Sequence, residues 1–232
     1  MTPLKDFHDP ASLTDFLAKV GVDPVTGLSR DDAMARRSMY GVNRVTPPVN
    51  CPSWVCCLLP CLLRTPSMQA YQRVVPHEAT VRRAQGASGK PGRRLRMDAT
   101  SLVYGDVVEI KAGEAVGADV RVIECSDDCV VDQSTLVGGN DDDEEEEEDV
   151  ESGQFSTLRR RKKVSTEASD RSDPLASANV LLMTTTLIRG SAVGVVIATG
   201  DATVWGQMLA QHQWPVSHRR GRGEGRALVS SA

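Results

Sequence analysis

The chain has 232 residues, of which 40% are hydrophobic and 25% are charged, and this balance is compatible with a globular core. Aromatic residues make up only 4%, so we expect a core built mainly of Val, Leu, Ile and Ala. The net charge is −4, because one acidic block and several basic clusters nearly cancel. No segment approaches the roughly 18–20 apolar residues that span a bilayer, which excludes a membrane-spanning helix from this sequence.

The six cysteines are expected to be reduced cytosolic thiols, because the N-terminus shows no basic start followed by an apolar run. Four of them cluster in one short stretch: Cys51, Cys56, Cys57 and Cys61. This stretch lacks the paired C-x2-C knuckles of structural zinc sites and has no histidine nearby, so we predict no metal site. Reversible acylation of these cysteines stays open as an alternative.

Short helices are predicted within residues 1–48. The sequence Ser12-Leu-Thr-Asp15 fits a capping box, and Gly21 is a suitable end for the helix that follows. A second helix is predicted to begin at Ser29-Arg-Asp-Asp32 and to end at Gly41. The first helix has one apolar face at helical spacing, formed by Leu13, Phe16, Leu17 and Val20.

Residues 49–66 form a junction rich in proline and cysteine, and its prolines prevent a long regular helix. A short helix is predicted over residues 67–75, since Pro76 is a natural end for it. Beyond this helix, apolar and polar residues alternate in pieces of four to eight, punctuated by Gly or Asp. That pattern is typical of short strands joined by tight turns.

The first four predicted strands lie between this helix and the acidic block. Residues 84–92 are expected to form a long hairpin loop. Gly113 and Gly117 are expected to supply turns that other residues would strain. The strands are predicted over residues 79–83 at a sheet edge and over residues 106–111, 119–124 and 129–133.

Two further strands are predicted over residues 179–189 and 191–199, with a turn at Gly190. A helix over residues 201–210 is predicted to begin at Asp201, because a carboxylate there is favoured by the exposed amides and the helix dipole. Residues 211–232 are rich in Arg, Gly and Ser and are predicted to be disordered.

Two charged regions call for an interpretation. Residues 141–149 are all Asp or Glu and are followed by a basic cluster at residues 159–163, so a disordered charged insert is predicted over residues 141–172. The insert lacks the glycine-punctuated pattern of an EF-hand calcium loop. A second basic cluster has no aromatic platform or nucleic-acid motif, which favours a solvated surface. It comprises Arg82, Arg83, Arg93, Arg94 and Arg96.

Four phrases, in this order, resemble the actuator domain of P-type cation-transporting ATPases, in the branch of the sodium/potassium and proton/potassium pumps. The resemblance implies a mainly β fold with some α, a distorted β-sandwich or jelly-roll over residues 67–210 preceded by short N-terminal helices. The phrases are Gly105-Asp106-Val-Val-Glu-Ile-Lys, Ala118-Asp119-Val-Arg-Val-Ile, Val131-Asp132-Gln-Ser-Thr-Leu136 and Ala198-Thr-Gly-Asp-Ala-Thr-Val-Trp-Gly206.

In the family, an actuator loop reading Thr-Gly-Glu-Ser promotes dephosphorylation of an aspartyl-phosphate, and its Glu activates the attacking water. The aligned loop here is Val137-Gly138-Gly139-Asn140. Gly138 keeps the family's glycine, whereas Gly139 replaces the Glu and has no side chain to act as a base. We therefore predict no intact catalytic residue. No cofactor is predicted for the chain itself, and ATP and Mg²⁺ are implied only for an intact family member.

Other parts of the family pattern are missing as well. The resemblance passes from Leu63 to Ser67 where two membrane helices are expected, and the sequence contains no Asp-Lys-Thr-Gly-Thr phosphorylation motif. The sequence thus predicts a pump fragment that is inactive as given. The predicted partners are an intact pump or the missing pump domains, with no nucleic acid and with membrane association only through missing segments. A pump fragment would belong at the membrane with its actuator domain in the cytosol, whereas a chain that exists as given would be cytoplasmic. A non-enzymatic regulatory or interaction module and an incomplete gene model remain alternatives.

Overall fold

The computed structural model describes residues 13–48, 66–84, 91–137, 161–167 and 173–214. Several predictions fall outside these residues. They concern the cap at Ser12, the four clustered cysteines, the acidic run at 141–149 and most of the C-terminal tail.

Three helices precede the sheets: α1 (Leu13–Val20), α2 (Arg30–Tyr40) and α3 (Pro66–Val74). The second predicted capping residue is confirmed, since the Ser29 hydroxyl accepts a hydrogen bond from the backbone N–H of Asp32 at 3.1 Å. Gly41 ends α2 with a φ of 83°, a conformation that favours glycine. Within the described parts of the chain, no helix is long and apolar enough to cross a bilayer.

The larger of two antiparallel sheets has six strands in the order β2-β1-β3-β9-β4-β7. Its strands are β1 (Glu78–Arg83), β2 (Arg93–Asp98), β3 (Val107–Lys111), β4 (Asp119–Cys125), β7 (Val180–Leu181) and β9 (Ser191–Ala198). The smaller sheet has three strands in the order β6-β5-β8. They are β5 (Val130–Asp132), β6 (Arg161–Lys163) and β8 (Thr186–Arg189). Two further helices complete the described fold, α4 (Ser134–Val137) and α5 (Val204–Ala210).

Both faces of the central strands of the larger sheet, β3, β4 and β9, are buried, and the two-residue period of these strands explains how. Val108 and Val196 face a core that they share with Val131 and Leu187 of the smaller sheet. Their chain neighbours, such as Val107 and Val195, face a second core against the helices. The second core is filled by Phe16, Val20, Leu136, Trp205, Leu209 and Trp214. The predicted mainly β architecture with short N-terminal helices is confirmed.

Two strand predictions are wrong for the same reason: the strands that pair with these residues lie far away in the sequence. Residues 79–83 lie inside the larger sheet, because β2 pairs on their outer side and takes the edge. The predicted strand over residues 179–189 is broken into β7 and β8, which belong to different sheets. Thr184, between them, has a φ of 75°, so the chain cannot continue there as an extended strand.

Three other expectations need correction. Gly117 does not adopt a left-handed conformation, so its turn does not depend on a glycine backbone; a Cβ there would lie 2.9 Å from Leu102 Cδ1 and would require that side chain to shift. The last helix begins after Thr203, whose hydroxyl accepts from the N–H of Gly206, rather than at Asp201. Within the predicted disordered insert, residues 161–167 are ordered and contribute β6.

A buried side chain, Asn43, ties the N-terminal segment to the sheets. Asn43 is 2% exposed and its amide donates to the carbonyls of Ala99 and Gly117 at 2.8 and 2.7 Å. Its side-chain oxygen accepts from the N–H of Gly200 at 2.8 Å. Asp201 adds a second tie, because its carboxylate accepts from the backbone N–H and the hydroxyl of Thr46.

Replacement of Asn43 by Ala should therefore destabilise the fold by about 2–4 kcal/mol, since three hydrogen bonds are lost and buried backbone groups are left unpaired. Urea unfolding of the full chain measures this change. Ser38→Ala, which removes an exposed hydroxyl bonded within α2, is the matched control and should change stability by less than about 0.5 kcal/mol. Equal effects of the two substitutions would contradict this account.

Candidate functional site

The predicted dephosphorylation loop begins at the end of α4. Val137 is the last residue of this helix, and Gly138, Gly139 and Asn140 lie outside the described residues. The structure therefore shows how the loop is approached and what holds its first residue. The roles predicted for the loop residues stay predictions.

The helix α4 is fixed by contacts on several sides. The Asp132 carboxylate accepts from the N–H of Ser134 at 2.8 Å and caps the start of the helix. Gln133 is buried and donates to the Leu175 carbonyl at 3.1 Å. Leu136 is 1% exposed in the core that faces the helices. These contacts leave α4 little freedom, although it is only one turn long.

Thr135 connects α4 to two distant parts of the chain. Its hydroxyl donates to the Thr184 carbonyl at 3.1 Å, in the crossover between β7 and β8. Its carbonyl accepts from the indole N–H of Trp214 at 2.6 Å. Trp214 is 6% exposed and packs edge-on against Trp205, with ring centroids 5.6 Å apart. The approach to the loop is thus anchored from both sides.

Trp214 is a positioning residue that the sequence did not predict. It lies in the region 211–232, which was predicted to be disordered, and the structure corrects this prediction for residues 211–214. A lone Trp in a basic, glycine-rich tail carries no periodic signal, so its burial could not be read from the sequence. Its partner Trp205 lies in one of the four quoted phrases, and its ring is fully buried.

A buried carboxylate links the two elements that hold α4. Asp119, which is 0% exposed, accepts from the N–H of Met183 at 2.8 Å and from the N–H of Val204 at 2.7 Å. Met183 lies in the crossover beside Thr184, and Val204 begins α5. Burial raises the pKa of Asp119 to about 7, although the two hydrogen bonds and the charge of Lys162 favour the ionised form.

Lys162 brings the end of the charged insert into the same region. Its ammonium donates to the carbonyls of Ser177 and Val180 at 2.8 and 3.0 Å. Burial lowers its pKa to about 8, against the opposing influence of Asp173 and Asp119. The sequence assigned Lys162 to a disordered basic cluster, whereas it is a half-buried residue of β6 that bonds to the chain just before β7 and at its start.

The basic cluster around the β1–β2 hairpin is also partly internal. Arg83 pairs with the fully buried Asp106 at 2.9 Å, and burial raises the pKa of Asp106 to about 6. Arg82 and Arg94 share Glu109, to which their Nε atoms donate at 3.1 and 2.9 Å. The predicted solvated surface is therefore wrong for Arg82 and Arg83, whose side chains are 19% and 13% exposed.

The described residues offer little for catalysis. They contain no group of three or more His, Cys, Asp or Glu side chains arranged to hold a metal ion. Asp106 and Asp119 are bonded within the core. Burial raises the pKa of the Cys129 thiol to about 11, which makes its thiolate scarce at neutral pH. What the geometry provides is a firmly positioned entry to the loop that begins at Val137.

The family model of the P-type ATPase actuator domain matches residues 73–213. The chain belongs to this P-type ATPase family. It is 33% identical over 143 residues to the sodium/potassium-transporting ATPase subunit alpha-3 of Gallus gallus, and 33% identical over 141 residues to subunit alpha-2 of Homo sapiens. Each match covers 61% of this chain and only 11% of the relative, so the chain corresponds to a small part of these pump subunits.

Among solved structures, the chain is similar to the crystal structure of a zinc-transporting PIB-type ATPase in the E2.Pi state. The similarity covers 61% of this chain and 17% of that chain, with 18% sequence identity and a TM-score of 0.38. The matched family segment contains α4 and its anchor Thr184, and it ends one residue before the other anchor, Trp214. The resemblance inferred from the four phrases is confirmed, while the domain limits proposed from the sequence stay predictions.

Ionisation of Asp119 should weaken the fold. Because its pKa is raised above the usual carboxyl value, the folded state holds its proton up to about pH 7, whereas the unfolded chain releases it near pH 4. The contribution of Asp119 to the free energy of unfolding is therefore complete below about pH 4. It declines as the pH rises to about 7, by at most about 1.4 kcal/mol per pH unit.

This decline is measured as the difference in unfolding free energy between the native chain and Asp119→Asn, by urea unfolding between pH 4 and pH 7. The advantage of the native chain should shrink as the pH rises, because Asn does not titrate. Asp31→Asn, on the exposed surface of α2, controls for the loss of a carboxylate. An advantage that grows with pH would show that burial does not dominate at Asp119.

Proposed function

We propose that the chain supplies the actuator part of a P-type cation-transporting ATPase. In an intact pump this part would lie on the cytosolic side and couple turnover of an aspartyl-phosphate to transport of a monovalent cation. The observation that carries the proposal is the anchored helix α4, inside the matched family segment, which leads directly into the loop position of the family's dephosphorylation motif. The names of the sodium/potassium-transporting relatives support the choice of a monovalent cation.

We infer further that this loop does not promote dephosphorylation. Gly139 stands where the family has the Glu that activates water, and a glycine offers no general base. Loss of a positioned acid–base group typically costs about 10²–10⁴-fold in rate. The partners implied are the remaining domains of a pump, and ATP and Mg²⁺ would bind to those domains.

The purified chain should release no phosphate from ATP above the background of a heat-denatured sample. Residues 1–232 contain no Asp-Lys-Thr-Gly-Thr motif to phosphorylate and no Glu in the loop. The measurement is release of inorganic phosphate with Mg²⁺, with and without vanadate. Release that vanadate inhibits would overturn the proposed inactivity.

A chimera tests the actuator role itself. Residues 73–213 would replace the matching segment of a sodium/potassium-transporting ATPase alpha-2 subunit, and decay of the phosphorylated intermediate would be followed in membranes. With the native loop, decay should be about 10²–10⁴-fold slower than in the parent pump. Gly139→Glu should restore much of the rate, and Gly139→Gln, of nearly the same size but without a base, should not. A slow chimera that Gly139→Glu leaves unchanged would argue against the actuator role.

A second candidate function is a non-enzymatic module that docks on an intact pump. The charged insert favours it, because residues 141–149 carry nine consecutive carboxylates that could bind a basic surface. Deletion of these residues should then abolish recovery of the pump with the tagged chain from membrane extracts. Recovery that is equal with and without the insert would remove the support for this alternative.

A further inference from the structure

The surface between α2 and the β1–β2 hairpin contains a groove of about 340 Å³ that the proposed function does not use. Apolar side chains of both elements line it, and so do three arginines. The arginines are Arg30 and Arg37 of α2 and Arg83 of β1, and the apolar residues include Met34 of α2 and Leu95 and Met97 of β2. The described residues that line it include no Asp or Glu. We call it the arginine groove.

Positive charge in the arginine groove is poorly compensated. Among the described residues, Arg30 and Arg37 have neither an ion pair nor a side-chain hydrogen bond. Arg83 is bonded to Asp106 through Nη2, but its Nε–H is buried and has no acceptor. Three arginines thus share one carboxylate within the described part of the chain, which favours a ligand that carries further carboxylates.

The floor of the groove adds a second requirement. Met34 is 50% exposed, an unusual degree for a large apolar side chain, and it lies between Arg30 and Arg37 on α2. A small inorganic anion would satisfy the guanidinium groups and leave this apolar surface in water. A ligand with both carboxylates and an apolar side chain would satisfy the arginines and the floor together.

The free edge of β2 adds a third requirement. This strand pairs with β1 along its whole length, and no other strand of the described residues pairs with it. The backbone N–H and C=O groups on its outer side are therefore open to a further strand. Because Leu95 and Met97 of β2 line the arginine groove, a strand added about 4.8 Å beyond β2 would lie beside the groove.

An extended acidic peptide segment meets all three requirements. Every second side chain of an added strand lies on the groove side, in the same row as Leu95 and Met97. On that side, carboxylates can bind the arginines and an apolar side chain can cover the floor. A second copy of β2 fits poorly, since its own arginines would meet those of the first copy. They are Arg93, Arg94 and Arg96.

We propose that the arginine groove and the free edge of β2 together form a docking site for an extended acidic segment of another protein. The segment adds to β2 as a further strand, its carboxylates bind Arg30 and Arg37, and an apolar side chain between them packs on Met34. The site uses neither Gly139 nor the loop around it, so its test is independent of the proposed function.

Binding of a labelled peptide to the full chain tests the site, with fluorescence anisotropy as the readout. The peptide is Glu-Thr-Glu-Thr-Leu-Thr-Glu-Thr-Glu, which presents Glu and Leu on one side when extended. The double variant Arg30→Glu, Arg37→Glu should bind it roughly tenfold more weakly than the native chain, because two ion-pair sites are lost and reversed. Met34→Asp should also weaken binding, and added salt should weaken binding to the native chain.

The matched control variant is Arg73→Glu, Arg189→Glu, which makes the same change in net charge at exposed positions in α3 and β8 and should leave the affinity unchanged. The control peptide is Glu-Thr-Glu-Leu-Thr-Thr-Glu-Thr-Glu, in which Leu moves to the other side of the strand; it should bind more weakly. Circular dichroism and urea unfolding of each variant establish that the fold is retained.

Strand addition itself has a separate readout. The bound peptide should slow hydrogen exchange of backbone N–H groups within residues 93–98, which no side-chain contact alone would do. Two further peptides are N-methylated, one at its Thr residues and the other at its remaining residues. Only one of them should lose binding, because alternate N–H groups of a strand point to opposite edges.

Four results would overturn the proposal. Equal affinity of the native chain and of folded Arg30→Glu, Arg37→Glu would remove the groove as the site. Binding that leaves exchange at residues 93–98 unchanged would exclude strand addition. A dimer that the same double variant abolishes would assign the surface to a second copy. Binding that appears only after deletion of residues 141–149 would show that the chain's own acidic run competes for the site.

Discussion

The approach to the loop depends on one buried carboxylate. Asp119 accepts one hydrogen bond from the crossover between β7 and β8 and one from the start of α5. Burying a carboxylate is costly, and two short bonds from backbone N–H groups offset only part of that cost, which is why its pKa rises to about 7. The elements that it joins carry Thr184 and lead to Trp214, and these two residues hold Thr135 from opposite sides. Asp119, in a strand of the larger sheet, therefore fixes the position of α4 indirectly, through the elements that bond to Thr135.

Burial of both faces of the central strands explains which strands could be predicted from the sequence and which could not. Strands with apolar residues on both faces, such as β3 and β9, were predicted within a residue or two because their composition is distinctive. The edge strand β2 was missed, because its alternate Arg residues resemble a solvated loop. The break at Thr184 was missed as well, since a left-handed residue between two sheets is imposed by pairing partners far away in the chain.

The residues of the candidate site also fall into two groups, those that the sequence predicts and those that it does not. The sequence predicts the loop and the replacement of its Glu by Gly139, because a motif of four residues is a local signal. It did not identify Lys162 or Trp214, since their roles come from carbonyls of Ser177, Val180 and Thr135 that lie far off in sequence. Asp201 was misassigned for a related reason. Asp and Thr are both good helix caps, and only the position of Thr46 determines that Asp201 bonds outside the helix while Thr203 caps it.

The residues that support the loop are present although the predicted base is absent. Asp132, Thr135, Leu136 and Trp214 stabilise the core and the adjoining helices as well as positioning α4, so their loss would cost stability whether or not the loop is catalytic. A glutamate at position 139 would contribute to none of these contacts. Glycine at this position would therefore remove the predicted base and none of these contacts. A well-formed actuator fold is thus evidence of family membership, and the proposed activity depends separately on the side chains in the loop.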